Sequence, residues 1–406
     1  MTSTSYHATV ESGCPSGWRE RAVVKRLDRL ICGRLDVNLP SGSAARFEGE
    51  SPGPTATLHI HSPRMVTRLF KAGSIGFAEG YMAGDWDCDD LPTLIYLLHL
   101  NTEALEPDFS RLQWLYTLLS SLRHRMRANS RSGSRRNIAY HYDLGNEFYA
   151  HWLDETWTYS SAIFASADEP LAAAQRRKYD ALLDRLAPQP DAHILEIGCG
   201  WGGFARHAAE TRGVRVTGIT LSEEQLRFAC QQAKAAGLAD RIDFQLRDYR
   251  DVTGRYDHVV SIEMYEAVGA SYWPGYFRTI HDALKPGGRA AIQAITIDDA
   301  RFDYYRRNVD FIQEYIFPGG MLASPAIFAE CAEAAGLSER SRDFYGRHYA
   351  RTLMRWDKAV VKAGAEIRAG RGERFYRMWR YYLAYCNAGF ASGNIDLMQI
   401  GFQRPR

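Results

Sequence analysis

The chain has 406 residues, 24% of them charged and 46% hydrophobic, with a formal net charge of +2 at pH 7. That length suits two or three domains around a large core, and so even a balance excludes an acidic polymer as obligate partner. Seven cysteines without a C-x-x-C pair or a His/Cys cluster argue against a disulfide framework or a structural metal, and for a reducing cytosol.

Met1 to Ser16 shows no apolar core flanked by positive charge, so no signal peptide is expected. No stretch reaches the roughly 18 uninterrupted apolar residues of a spanning helix, so any meeting with a membrane is expected at its surface. Trp18 to Leu35 sets Val23, Val24, Leu27, Leu30 and Ile31 among basic residues at helical spacing. Phe47–Glu50 and Thr55–His61 read as short strands around a Ser51-Pro52-Gly53-Pro54 turn, and Met65–Ala72 as a helix. Gly73–Trp86 reads as a glycine-rich loop and Leu91–Leu100 as an apolar helix. Residues 1–110 are thus expected to form a small α+β domain that carries no catalytic constellation.

From Arg111 to Tyr142 there is no acidic residue, while Leu112, Leu115, Leu119 and Leu122 recur at helical spacing. Two readings fit equally: an amphipathic basic hinge lying on anionic headgroups, or a helix packed on the core with a solvated linker over 111–136. Nucleic acid is not the expected partner, because no interleaved aromatics accompany the arginines.

Residues 137–406 are expected to form the larger domain. Strands are predicted at Ile194–Ile197, Val214–Ile219, Ile242–Leu246, His258–Ile262 and Ala290–Ala294, with helices at Leu171–Leu186, Ser222–Ala236 and Tyr272–Leu284. This alternation predicts an α/β fold, a Rossmann-like, mainly parallel sheet with helices on both faces. Lys285-Pro286-Gly287-Gly288 reads as a helix stop, Ser324–Ala335 as a helix, Phe344–Met354 as antiparallel edge strands, and Gly372–Phe390 as a helix.

The stretch that organises the chain is Glu196-Ile197-Gly198-Cys199-Gly200-Trp201-Gly202, where an apolar strand passes through a glycine turn into a helix. Glycines there let a ligand approach main-chain N–H groups at the positive end of a helix. A dinucleotide site would end the next strand on a carboxylate, whereas this one ends on Thr220-Leu221-Ser222. Glu196, placed before the glycines, instead suits the amino group of S-adenosylmethionine. The turn is therefore read as a methyl-donor site.

The resemblance to a known family is carried by His141-Tyr142-Asp143-Leu144-Gly145-Asn146, Tyr159-Ser160, the glycine turn, Thr220 to Gln225, Asp248-Tyr249-Arg250-Asp251 and Tyr315-Ile316-Phe317-Pro318-Gly319-Gly320. In this order they resemble the cyclopropane fatty acyl phospholipid synthases, class I S-adenosylmethionine-dependent methyltransferases. The resemblance is strong over residues 137–390 and looser before them, where it implies a lipid-engaging domain. It implies that Tyr142, Tyr159 and Ser160 lie near the carboxylate and sulfonium end of the donor, with Gly198, Gly200 and Gly202 along its methionine portion. By the same likeness Thr220, Leu221 and Gln225 address the ribose, and Asp248, Tyr249 and Arg250 the adenine.

The resemblance also implies an acyl tunnel walled by Tyr304, Tyr305, Phe311, Tyr315, Phe317 and Tyr349, and a bound bicarbonate as base. Glu266, Tyr349 and the main chain of Ile295 match its ligands, but Ser161 stands where the family has Cys and Gln293 where it has His. Neither supplies an imidazole that titrates near neutrality. Related sequences carry Gln at that place together with the form Glu263-Met264-Tyr265-Glu266-Ala267-Val268-Gly269 found here. The implied activity is C-methylation of unsaturated acyl chains of membrane phospholipids by a cytoplasmic, peripherally membrane-bound homodimer. Ring closure and methyl or methylene branching stay open as products. A methyltransferase of a small soluble acceptor and a non-catalytic lipid-binding protein are the competing readings.

Overall fold

The computed structural model describes residues 9–12, 17–105 and 144–406. Tyr142 and the arginine-rich run over 111–142 lie outside the described residues.

The N-terminal part is built on a mixed sheet in the order β1-β3-β2-β4-β5, with β1 Thr9–Ser12, β2 Cys32–Asn38, β3 Ala44–Glu48, β4 Ser51–Ile60 and β5 Trp86–Cys88. Leu35 and Val37 of β2, with Ala56, Leu58 and Ile60 of β4, alternate inward, the pattern of a sheet covered on one face. Helices α1 Gly17–Leu27, α2 Arg64–Met82, α3 Leu91–Leu100 and the short α4 Thr102–Leu105 accompany it. Two expectations are corrected here. Ser51–Pro54 opens β4 rather than forming a turn, because β3 and β4 do not pair; both pair with β2. Gly73–Met82 is helical, not a loop. The chain bends at Gly73 (φ 55°) and resumes, and Gly76 and Gly80 serve close packing: a Cβ on Gly76 would lie 2.0 Å from the Arg68 carbonyl oxygen.

The larger sheet has seven strands in the order β11-β12-β10-β9-β6-β7-β8. They are β6 His193–Ile197, β7 Arg215–Thr220, β8 Ile242–Leu246, β9 Tyr256–Ile262, β10 Leu284–Ile297, β11 Ser338–Phe344 and β12 Ile395–Gln403. β8 to β10 run parallel through β7, β6 and β9, and β12 and β11 close the edge antiparallel. Central strands are apolar on both faces, as a two-sided core requires. The helices are α5 Gly145–Ala150, α6 Leu171–Leu186, α7 Gly203–Arg212, α8 Glu223–Ala235, α9 Trp273–Ala283, α10 Asp299–Tyr305, α11 Pro325–Ala334, α12 Gly346–Lys362, α13 Gly364–Arg371 and α14 Glu373–Ser392. The antiparallel strands are thus β11, at the edge, and β12 inside it. Most of the expected Phe344–Met354 strand is the first half of amphipathic helix α12, which buries Tyr349, Thr352, Leu353 and Trp356.

The chain leaves β6 toward β7 and β8, then returns to β9 on the other side of β6. That reversal opens a crevice at the carboxyl ends of β6 and β9, where doubly wound sheets bind ligands. The N-terminal part is welded alongside. Trp86, Leu97, Trp379 and Leu383 share one core, and Arg377 of α14 donates to the carbonyls of Tyr81 and Trp86 at 2.5 and 2.9 Å.

Candidate active site

The glycine turn follows β6 with Gly198, Gly200 and Gly202 all at positive φ, 84°, 51° and 80°. A Cβ on Gly200 would meet nothing within 4 Å, whereas one on Gly203 would lie 2.6 Å from Tyr179 Oη and 2.9 Å from the Thr156 carbonyl oxygen. Gly200 therefore leaves space for a ligand, and Gly203 serves the contact of helix with sheet. After β7, Ser222 caps α8 through the Gln225 N–H, and Thr220 donates to Gln225 Oε1 at 2.8 Å. Gln225 is thereby held toward the crevice.

Beside this turn lies a cavity of about 910 Å³. Tyr159, Ser160, Glu196, Gly198, Gly200, Thr220, Leu221, Gln225 and Tyr249 line it at the donor end. Gly202 stands behind, with Phe244 against it. Asp248 and Arg250 do not line it but pair with each other at 2.6 Å, and the Arg250 guanidinium lies 5.5 Å from the centre of the Tyr249 ring. They brace Tyr249, and Arg247 stands on the cavity wall nearby.

Glu196 is buried with Oε2 lacking a hydrogen-bond partner among the described residues. Burial holds its carboxyl well above the usual range, opposed by the charge of Lys178 and by the Ala205 N–H. A buried carboxylate oxygen facing an open cavity calls for a cationic partner, and the donor set fits the α-amino group of S-adenosylmethionine.

The rest of the cavity wall is mainly apolar, with Asp298, Arg301, Asn308, Asp310 and Gln313 among its polar members. Tyr304, Tyr305 and Phe317 line it together with Ile312, Leu353 and Phe390. Phe311 and Tyr315, expected on that wall, stand elsewhere. Phe311 packs its ring 4.8 Å from Tyr381 in the core, and Tyr315 donates its hydroxyl to Glu79 of α2 at 2.7 Å. The cavity continues to Ser74, His99, Thr102 and Glu103 of the N-terminal part, where burial pulls His99 down to about 4 and leaves its ring neutral.

Between the two ends sits a cluster centred on a residue to which sequence reasoning gave no role. Glu263 follows the last residue of β9, enclosed by protein and open to the cavity. Its Oε1 accepts from the Ser161 N–H at 2.8 Å and from Gln293 Nε2 at 2.7 Å, and its Oε2 from the Tyr349 hydroxyl at 2.6 Å. Ser161 and Gln293 are fully buried behind it and do not line the cavity; Tyr349 does. Ser161 through its N–H, Gln293 and Tyr349, three of the residues expected around a bicarbonate, thus donate to Glu263, while the Ile295 N–H donates to Glu266 and the Ser161 hydroxyl to the Ala162 carbonyl. The Glu263 backbone is held at φ 48°, a conformation that costs a non-glycine residue roughly 1 kcal/mol.

Glu266 lies one turn on and accepts from the Ile295 N–H, with Oε2 lacking a partner among the described residues. Burial, then the Glu263 charge, pushes it up to about 8. Glu263 is raised by burial too, but Tyr349, the Lys178 charge, Ser161 and Gln293 all pull it back. Lys178, buried in α6 and donating to Ser160 Oγ at 2.7 Å, is itself brought down to about 7 by burial. Burial thus raises both neighbouring carboxyls, and only Glu263 has side-chain donors that oppose the rise. The signal in the sequence was a carboxylate at the carboxyl end of an apolar strand.

A parallel sheet with a glycine turn and a buried acid at the reversal of strand order defines a class I S-adenosylmethionine-dependent methyltransferase. Residues 129–400 match the family model described as mycolic acid cyclopropane synthetase, and the chain belongs to that family. It is 42% identical over 388 residues to the tuberculostearic acid methyltransferase of Mycobacterium tuberculosis, covering 93% of this chain and 90% of that one. To the cyclopropane-fatty-acyl-phospholipid synthase of Escherichia coli it is 34% identical over 375 residues, 91% of this chain and 93% of that one. The cyclopropane synthase MmaA2 from Mycobacterium tuberculosis superimposes with a TM-score of 0.63 at 30% identity, covering 66% of this chain and 98% of its own. This is an S-adenosylmethionine-dependent methyltransferase of lipid acyl chains.

Proposed function

We propose that the enzyme methylates a carbon of a double bond in an acyl chain of a membrane phospholipid, giving a cyclopropane or a methyl- or methylene-branched chain. The observation that carries this reading is that one large, mainly apolar cavity lined with aromatic rings joins the glycine turn to the N-terminal part. A small polar acceptor would call for a polar pocket instead.

Glu196 would take the amino group of the donor, Gly198 and Gly200 its methionine portion, Thr220, Leu221 and Gln225 the ribose, and Tyr249 the adenine side. S-adenosylmethionine, when bound, supplies an electrophilic sulfonium methyl. A carbon–carbon double bond is a weak nucleophile, so the protein's share is to hold it in line and keep water away. The rings of Tyr305 and Phe317 would serve both ends, excluding water and offering π faces to positive charge on the chain, while Tyr304, 57% exposed, lines the cavity where it meets solvent.

The phospholipid would be reached from the membrane surface on the cytoplasmic side. Among the described residues no helix is long and apolar enough to cross a membrane. Trp18 and Phe70 stand 61% and 41% exposed with ring centres 6.5 Å apart; the Arg19 guanidinium lies 5.4 Å from the centre of the Trp18 ring, and Arg19 shares a surface pocket with Arg64, Arg68, Lys71 and Glu79. Mass spectrometry of lipids from a host expressing the protein tests the reading. Unsaturated chains are expected to gain one methylene equivalent, and unchanged chains would defeat it.

A further inference from the structure

We propose that the Glu263 carboxylate is the proton acceptor of the reaction, built into the chain at the place where a diffusible anion would otherwise be held. The geometry is that of an anion site already filled. Three donors from three separate segments, the Ser161 N–H, the Gln293 amide and the Tyr349 hydroxyl, converge on the two oxygens of Glu263. Gln293 is fixed in turn, since its Oε1 accepts from Gln399 at 2.9 Å and only its N–H side can face Glu263. The carboxylate opens on the cavity between the glycine turn and the aromatic passage. Its backbone lies at φ 48°, where glycine would rest more easily, so the side chain is held there against a local preference.

The step balances within the substrate and this one side chain. Addition of the methyl to one alkene carbon leaves its neighbour electron-poor. A C–H bond then breaks, its proton passes to a Glu263 oxygen, and its electron pair forms the new bond. If the hydrogen comes from the added methyl, the pair closes a three-membered ring. If a hydride has first shifted to the neighbouring carbon, the pair forms an exocyclic-type methylene double bond. Glu263 leaves the step neutral and returns the proton to water on product release. Lys178, Glu266, Tyr349 and Tyr382 are the titratable groups that feel this charge, with Lys178 favouring it and Glu266 kept neutral beside it.

The inference rests on the lipid reading above, and its test separates the two. With the full-length enzyme, S-adenosylmethionine and vesicles of unsaturated phospholipid, Glu263→Gln is expected to lower methylation by about a hundredfold or more while calorimetry shows donor binding retained. Isotopically labelled bicarbonate, titrated into the unaltered protein and followed by NMR, is expected not to bind. Glu263→Gly, which suits the backbone and empties the site, is expected to bind it and to regain methylation as bicarbonate or formate is added. Bicarbonate bound by the unaltered protein, a rate that falls when bicarbonate is stripped, or near-normal turnover in Glu263→Gln overturns the assignment alone. An unaltered enzyme that binds the donor yet adds no methylene to lipid overturns the functional reading, and this one with it.

Discussion

Gln293 and Glu263 hold one another in a single orientation: the Gln293 amide donates to Glu263 Oε1 at 2.7 Å while its carbonyl accepts from Gln399 at 2.9 Å. Gln293 lies on β10 and is fully buried, so neither end has water as a substitute partner. Gln293→Leu is expected to destabilise the protein by about 1–3 kcal/mol and to slow turnover about tenfold, because Glu263 loses a donor and the Gln399 amide loses its shorter acceptor, keeping the Lys178 carbonyl at 3.5 Å. Urea melts and turnover measured on the same preparation check this. A variant as stable and as fast as the parent would show that the Gln–Glu contact carries no weight.

The pH profile follows from the neighbouring acid. Glu266, whose ordinary value is 4.5, is pushed up to about 8 by burial and then by the charge of Glu263. Below that it is neutral; above it a second negative charge faces Glu263. Turnover is expected to fall as pH rises through about 8, and Glu266→Gln, which cannot ionise, to hold its rate beyond that point. The stability contribution has the same sign, complete below 4.5 and lost as pH climbs through about 8, because the folded value lies above the ordinary one. Lys178, brought down to about 7, titrates in the same window, so the difference between the two proteins isolates Glu266. Parallel melts of parent and variant across the window would remove this account.

Much of the larger sheet was legible because strands and helices alternate at parallel-crossover lengths. Ile242–Leu246 is the strand expected, and helices α8 and α9 fall within a residue of their predicted ends. Besides the Ser51–Pro54 turn, three elements were misread or missed for physical reasons. Gly73, Gly76 and Gly80 look like loop residues by propensity, yet Gly76 and Gly80 are there to let backbone and Trp86 come close. Phe344 ends β11 and Tyr345 precedes α12, so the strand signal of this aromatic run is real but stops there, and tertiary burial of Tyr349, Thr352 and Leu353 on one face decides for helix beyond it. Strand β12, which follows the long α14, pairs with β10 over its whole length and with β11 on its other side, a long-range register that local pattern does not encode. In the site, the glycine turn declared itself through spacing. Glu263 did not, because its role depends on donors from β10, α12 and the loop before α6 that meet only in the fold.

The glycine turn separates folding from donor binding. Gly203→Ala would set a Cβ 2.6 Å from Tyr179 Oη and 2.9 Å from a backbone oxygen, and is expected to cost about 1–3 kcal/mol of stability. Gly200→Ala meets no protein atom within 4 Å, so its folding penalty is the smaller one of a left-handed backbone, about 1 kcal/mol, while donor affinity falls at least tenfold. Thermal melts paired with calorimetric titration of S-adenosylmethionine distinguish the two positions. Equal losses of affinity and stability in both variants would mean that Gly200 does not face the donor.

Trp18 and Phe70 give the membrane reading its own test, independent of catalysis. Each exposes a large ring, and Arg19, which lies against Trp18, shares a surface pocket with Arg64 and Lys71, so apolar insertion and attraction to anionic lipid would act together. A basic residue at an anionic surface contributes about 1 kcal/mol at low salt, so replacing Arg64 and Lys71 with Glu is expected to weaken binding to anionic vesicles by at least tenfold, and less as salt rises. Trp18→Ala with Phe70→Ala is expected to weaken binding similarly but without that salt dependence, since the lost term is burial of apolar surface. Donor affinity should stay unchanged in both, because neither pair lines the cavity. Vesicle co-sedimentation over a range of salt reads out both effects. Unaltered sedimentation of the two double variants would move the membrane face elsewhere on the molecule and leave the aromatic pair as ordinary surface.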